Sequence, residues 1–144
     1  MKILVPVDGS TYSMEAVKVA LKYAKATKTD IYIMTVTPFI SGLDLEISAG
    51  AMDKLNESMK SRGEEVLSKA QSILASEGVS AKTILSSSIS AADEIINVAE
   101  KEKTDLIIIG SRGLGGKATR FFMGSVALKV VSHAPCNVYV VKTA

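Results

Sequence analysis

Leu106-Ile107-Ile108-Ile109-Gly110-Ser111-Arg112-Gly113 begins with four consecutive apolar residues and ends in a glycine-punctuated turn. The run is short, rich in β-branched residues and continuous rather than alternating. A strand that is apolar on both faces belongs in a parallel sheet covered by helices on both sides. Three other runs have the same character: Ile3-Leu4-Val5-Pro6-Val7, Ile31-Tyr32-Ile33-Met34-Thr35-Val36 and Val138-Tyr139-Val140-Val141. Ala81-Lys82-Thr83-Ile84-Leu85 is a fifth, weaker strand.

Helical patterns lie between these runs. Ala16, Val17, Ala20, Leu21 and Ala24 form one apolar face, with Ser10 as its N-cap. A longer helix is predicted from about Ala49 to Ala75, carried by Leu55, Met59, Val66, Ala70, Ile73 and Leu74, with a kink at Gly63. Ala92, Ile95, Ile96 and Ala99 mark a third helix, and Val126, Val130 and Val131 a fourth. The order βαβαβαβαβ with right-handed crossovers predicts a single α/β domain over residues 1–144. It is a three-layer αβα sandwich on a five-stranded parallel sheet of order 3-2-1-4-5, with two helices on each face. Ligands of such sheets sit beyond the carboxyl ends of the strands, where strand order reverses. Here that point lies between the first and fourth strands.

An apolar fraction of 47% and a charged fraction of 22% are those of a globular chain, not a disordered one. The single cysteine, Cys136, excludes an intrachain disulfide and points to a reducing compartment. The amino-terminal apolar run is a strand without a cleavage pattern, and no apolar run approaches the roughly 18 residues of a membrane helix. A cytoplasmic location is expected. The net charge of +2 is unevenly spread. Beyond Asp105 the chain carries Arg112, Lys117, Arg120, Lys129 and Lys142 and no carboxylate, which favours an anionic ligand near that segment. Lys129 and Lys142 are read as solvated surface.

Asp8-Gly9-Ser10 follows the first strand. The Asp8 carboxylate can accept hydrogen bonds from a ribose hydroxyl or an adenine amino group, or it can simply cap the first helix; spacing leaves both readings open. After the fourth strand come Gly110, Gly113, Gly115 and Gly116, and Gly124-Ser125 opens the last helix. Glycines let backbone approach a ligand, and a helix start offers unpaired N–H groups to a phosphate. The competing reading is a solvated turn and an ordinary cap. Two familiar nucleotide motifs fail. Gly113-Leu114-Gly115-Gly116-Lys117-Ala118 fits G-x-G-x-x-A, but it does not open the first βα unit and no acidic residue follows it. Gly116-Lys117 lacks both the hydroxyl residue and the leading glycine of a Walker loop.

Pro6-Val7-Asp8-Gly9-Ser10, Asp105 to Gly113, Gly124-Ser125-Val126 and Ala134-Pro135-Cys136, taken in order over essentially the whole chain, resemble the universal stress protein family. The resemblance implies an adenine nucleotide alpha hydrolase-like, Rossmann-like fold that binds ATP or AMP, with magnesium as the companion of the phosphates. The family's adenine contact, from the backbone after the second strand, falls on Val36, and its acidic contact on Asp8. Its phosphate-binding pattern G-x2-G-x9-G-[S/T] falls on Gly110, Gly113, Gly124 and Ser125, with Val126 adding an N–H. Pro6, Val7 and Ile109 are the strand-end residues that flank the same place, and Arg112, Lys117 and Arg120 are the cations available to the phosphates. This chain departs from the pattern in having ten residues between Gly113 and Gly124 rather than nine. Ser88-Ile89-Ser90-Ala91-Ala92 stands where the family often has Gly-x-Pro-Ala, and Asn137 where it often has proline.

The expected function is an ATP-binding universal stress protein with a regulatory or stress-response role. The alternative is a dimeric interaction module of the same fold without nucleotide, which the ten-residue spacing favours. Hydrolysis is expected to be slow at most, because Gly110 to Ser125 supply no carboxylate or histidine. An apolar edge strand Val138-Tyr139-Val140-Val141 suits antiparallel pairing across a two-fold axis, as the resemblance also implies for a homodimer. His133 and Cys136 are read as a helix-end cation and a small hydrophobe rather than a catalytic pair. One histidine and one cysteine cannot build a zinc site of the usual kind. Four tyrosines and three phenylalanines without a basic stripe give no nucleic-acid surface.

Overall fold

The computed structural model describes residues 1–39, 48–114 and 123–143. Nine elements alternate: β1 (Lys2–Pro6), α1 (Thr11–Ala26), β2 (Asp30–Pro38), α2 (Ala49–Ala75), β3 (Lys82–Ser88), α3 (Ala91–Lys101), β4 (Leu106–Gly110), α4 (Ser125–His133) and β5 (Asn137–Val141). The sheet is wholly parallel and runs β3-β2-β1-β4-β5, as the sequence predicts. The weak fifth strand becomes β3, which extends past Leu85 to Ser88.

The continuous apolar runs are explained by two cores. Ile3, Val5 and Ile108 pack on one side with Met14, Val17 and Ala20 of α1 and Leu67, Ala70 and Leu74 of α2. Leu4, Met34, Ile107 and Ile109 pack on the other with Ile95 and Ala99 of α3 and Ala127 and Val130 of α4. Alternate residues of one strand thus enter different cores, so every position is apolar. Ser10, Ser48 and Ser90 cap α1, α2 and α3 through their side chains. The helix from Ala49 to Ala75 is unbroken. Gly63, where a kink was expected, is buried against Leu85, Thr37 and Thr35 and marks the close seating of α2 on the sheet.

Thr35 is the polar exception inside β2. It is only 5% exposed, and its hydroxyl donates to the Val7 carbonyl at 2.7 Å. With Val7 N–H donating to the Met34 carbonyl at 2.8 Å, this fixes the chain as it leaves β1. Thr35→Val keeps the shape and removes the donor. The expected outcome is a loss of about 1–2 kcal/mol in urea unfolding, the cost of leaving a buried carbonyl unpaired, with the helical circular-dichroism signal retained.

Candidate functional site

The chain leaves β1 into Asp8 and leaves β4 into Ser111, and these two exits part at the centre of the sheet. Between them lies a cavity of about 450 Å³. All eleven residues singled out in the sequence line it: Pro6, Val7 and Asp8 from the β1 exit, Val36 from β2, Ile109, Gly110, Arg112 and Gly113 from the β4 exit, and Gly124, Ser125 and Val126 from the start of α4. Lys117, Arg120, Phe121, Phe122, Gly115 and Gly116 lie outside the described residues.

Asp8 does not cap α1, since that role belongs to Ser10, whose Oγ accepts from Ser13 N–H at 3.2 Å. Its Oδ1 accepts from Ser10 N–H at 2.9 Å and its Oδ2 from Leu114 N–H at 3.1 Å. The carboxylate therefore joins the two strand exits across the cavity. A Cβ on Gly113 would fall against Asp8 Oδ2, so the turn passes the carboxylate too closely at Gly113 for a side chain. Gly110 makes a different close approach: a Cβ there would meet the Tyr12 carbonyl oxygen at 2.8 Å, its carbon at 2.9 Å and Ser13 N at 3.2 Å. β4 and the first turn of α1 are in backbone contact at this point.

The start of α4 closes the ring. Gly124 is its N-cap and, among the described residues, no side chain makes a capping bond to the first N–H groups, unlike the three serine-capped helices. Gly124 N–H donates to the Ser111 carbonyl at 2.7 Å, which docks the helix start on the β4 exit. Arg112 is half-buried, with its guanidinium carbon 5.8 Å from the centre of the Tyr12 ring. It is the one cation among the described lining residues. Opposite lies an apolar slot. Pairing of β1 with β2 stops at Pro6 and Met34, whereas β2 runs on to Pro38, so Val36 stands in the overhang. It is thus inside the strand rather than after it.

Six lining residues escaped the sequence reading: Ser13, Met34, Ala91, Ile95, Leu114 and Ala127. Met34 shares a strand face with Val36 by period two, and Ile95 sits one turn beyond Ala91, so periodicity carried that signal. Lys129 pairs with Asp93 at 2.8 Å on the surface and Lys142 is exposed. Cys136 is half-buried, and burial pushes its thiol above the usual range. His133 is exposed at the end of α4. Among the described residues no group of three or more His, Cys, Asp or Glu could hold a metal, and no helix is long and apolar enough to cross a membrane.

The universal stress protein family model matches residues 1–142. The chain belongs to the universal stress protein family. A universal stress protein of Methanocaldococcus jannaschii is 39% identical over 144 residues, covering 98% of this chain and 81% of the relative. The solved structure of a universal stress protein from Lactobacillus plantarum superimposes with a TM-score of 0.82 at 26% identity, covering 98% of this chain and 97% of that one. An Archaeoglobus fulgidus universal stress protein solved in complex with dAMP gives a TM-score of 0.67 at 25% identity, covering 97% and 96%.

Two outcomes follow from this geometry. Gly110→Ala forces backbone apart rather than a flexible side-chain tip. It should cost about 2 kcal/mol of stability in urea unfolding, within the range for overpacking. Cys136 should react slowly with iodoacetamide at neutral pH, because its thiolate is disfavoured by burial, and should react much faster once the chain is unfolded.

Proposed function

We propose that this universal stress protein binds an adenine nucleotide, ATP or AMP, in the cavity between the β1 and β4 exits. The observation that carries the reading is the polarity of the cavity from end to end. Val36, Met34, Ile95 and Ile109 form an apolar wall suited to a base, and the overhanging backbone at Val36 can recognise its edge. Asp8 lies next along the cavity, where a ribose hydroxyl would donate to it. The turn at Gly110 and Gly113 and the uncapped start of α4 at Gly124, Ser125 and Val126 offer N–H groups and a positive dipole end to phosphate, with Arg112 at hand. The dAMP found on the Archaeoglobus fulgidus protein supports the same ligand class. Magnesium would accompany a polyphosphate.

The tenth residue between Gly113 and Gly124 is compatible with this reading. The two ends of the stretch meet, with a Cβ on Gly124 placed 3.4 Å from Arg112 Cα and Gly124 N–H bonded to Ser111. Loops absorb one added residue at small cost. The role is regulatory, in a cytoplasmic stress response, with hydrolysis slow at most: among the described lining residues the only carboxylate is Asp8, at the ribose position.

Calorimetry should show ATP and AMP binding below millimolar concentration; no binding at millimolar ligand sinks the proposal. Asp8→Ala should weaken both ligands alike, and Ser125→Ala should weaken each by about three- to tenfold, one hydrogen bond's worth. Gly113→Val, which drives a side chain into Asp8, should abolish binding. Magnesium-dependent turnover above about one per second would overturn the regulatory reading.

We further propose a homodimer through Val138, Tyr139, Val140 and Val141. The two sheet edges differ. The β3 edge is blunted by Lys82, Thr83, Ser86 and Ser87, whereas β5 presents a valine-rich strand with Tyr139 43% exposed. Leu128 and Val131 of α4 are exposed as well, at 53% and 44%. Light scattering at micromolar protein should give twice the chain mass, and Val140→Pro should give the monomer mass. A wild-type monomer, or a dimeric Val140→Pro, contradicts it.

A further inference from the structure

Tyr12 lies outside the cavity, yet it stands at the place where two elements of the site are pinned together. It is the second residue of α1, and its backbone carbonyl is the group that the bare Gly110 backbone packs against. The Tyr12 backbone, from which the ring projects, is therefore fixed relative to the β4 exit by a contact that leaves no room for a Cβ. The Arg112 guanidinium lies over this ring, 5.8 Å from its centre. The Arg112 backbone is held too: Ser111 N–H donates to the Val141 carbonyl at 2.9 Å, and the Ser111 carbonyl accepts from Gly124 N–H at 2.7 Å. With the backbone fixed on one side and an aromatic face on the other, a long side chain is restricted in direction. An arginine with restricted rotamers loses less entropy on meeting an anion. Its planar fork also stacks on a ring in a way that a lysine does not.

We propose that Tyr12 is a positioning residue that holds the Arg112 guanidinium at the phosphate end of the cavity, so that the pair sets the preference for nucleotides over the uncharged nucleoside. This rests on the nucleotide reading above and adds to it the residue that sets charge selectivity. Arg112 is the one cation among the described lining residues, so it adds a charged contact to the N–H groups that the start of α4 offers a phosphate. Tyr12 is not among the residues that line the cavity, so its effect on a ligand runs through Arg112 and is confined to ligands that carry phosphate.

The test measures adenosine, AMP and inorganic tripolyphosphate by calorimetry on the wild-type protein and on Tyr12→Phe, Tyr12→Leu, Arg112→Gln, Arg112→Lys and the Tyr12→Leu/Arg112→Gln double variant. Urea midpoints confirm that each is folded. Tyr12→Phe keeps the ring and should keep the AMP-to-adenosine ratio. Tyr12→Leu should lower AMP affinity by about three- to tenfold, the range of one partly desolvated cation–π contact, with adenosine changed by less than about twofold. Arg112→Gln should lower the preference by at least as much as Tyr12→Leu does, and the double variant should match it. Arg112→Lys retains the charge but loses the stacking, so it should lose most of the preference. The inference is overturned if Tyr12→Leu weakens adenosine as much as AMP, if it leaves AMP intact, if its effect adds to that of Arg112→Gln, or if Arg112→Lys keeps the full preference. If adenosine and AMP both fail to bind the wild-type protein, the nucleotide reading fails. The pair then stands or falls on tripolyphosphate: weaker binding in Tyr12→Leu than in wild type supports it, and equal or absent binding overturns it.

Discussion

The crevice exists because two adjacent strands send the chain to opposite faces of the sheet. β1 feeds α1, which packs with α2 in one core, and β4 feeds α4, which packs with α3 in the other. Neither connection can cover the gap between β1 and β4 at their carboxyl ends, because right-handed crossovers carry each away from it. The gap is spanned instead by the contact of Asp8 with Leu114, while Gly124 to Ser111 ties the start of α4 to the β4 exit and Thr35 to Val7 ties β2 to the β1 exit. A parallel sheet of this order therefore arrives with a cavity already open, and the loop residues determine its chemistry.

Backbone proximity shapes that chemistry. At Gly110 the missing side chain lets β4 touch α1, which is a demand of packing; at Gly113 it lets the turn approach a carboxylate, which is a demand of the cavity. The two glycines resemble each other in sequence but differ in what a methyl group would meet. One meets main chain that cannot move without shifting a helix. The other meets a side chain that could swing away, taking with it the bond to Leu114. Substitution at Gly110 therefore acts on stability first, and substitution at Gly113 on the site first.

The fold was legible because its signals are local and repeated. Four continuous apolar runs of strand length, separated by helical periodicity, leave few arrangements once right-handed crossovers are imposed. The strand ends at the switch point then named Asp8, Gly110 and Gly113 without further help. What stayed hidden depends on tertiary contact. Nothing in spacing distinguishes an Asp8 that caps a helix from one that reaches Leu114, 106 residues away in the chain. Gly63 read as a kink because a helix-interior glycine costs about 1 kcal/mol against alanine, and the compensating contact with β2 and β3 is invisible along the chain. Ile95 was placed on the apolar face of the third helix and does lie in the core, but the same side chain also borders the cavity. A residue that serves both is seen as core by any periodicity argument.

Asp8 shows why the structural and ligand readings of a site residue need not compete. An ionised carboxylate offers about four lone-pair positions on two oxygens. Ser10 N–H uses one on Oδ1 and Leu114 N–H one on Oδ2, so a position remains on each oxygen for a hydroxyl donor. A ribose can then be recognised without releasing either protein bond, and the two bonds already made hold the carboxylate in one orientation beforehand. An asparagine cannot do both, since its NH2 group donates and would face either Leu114 N–H or Ser10 N–H, two donors meeting. Under the nucleotide reading proposed above, the contact that holds the β1 and β4 exits together is thus also the contact that would orient Asp8 for a ribose hydroxyl.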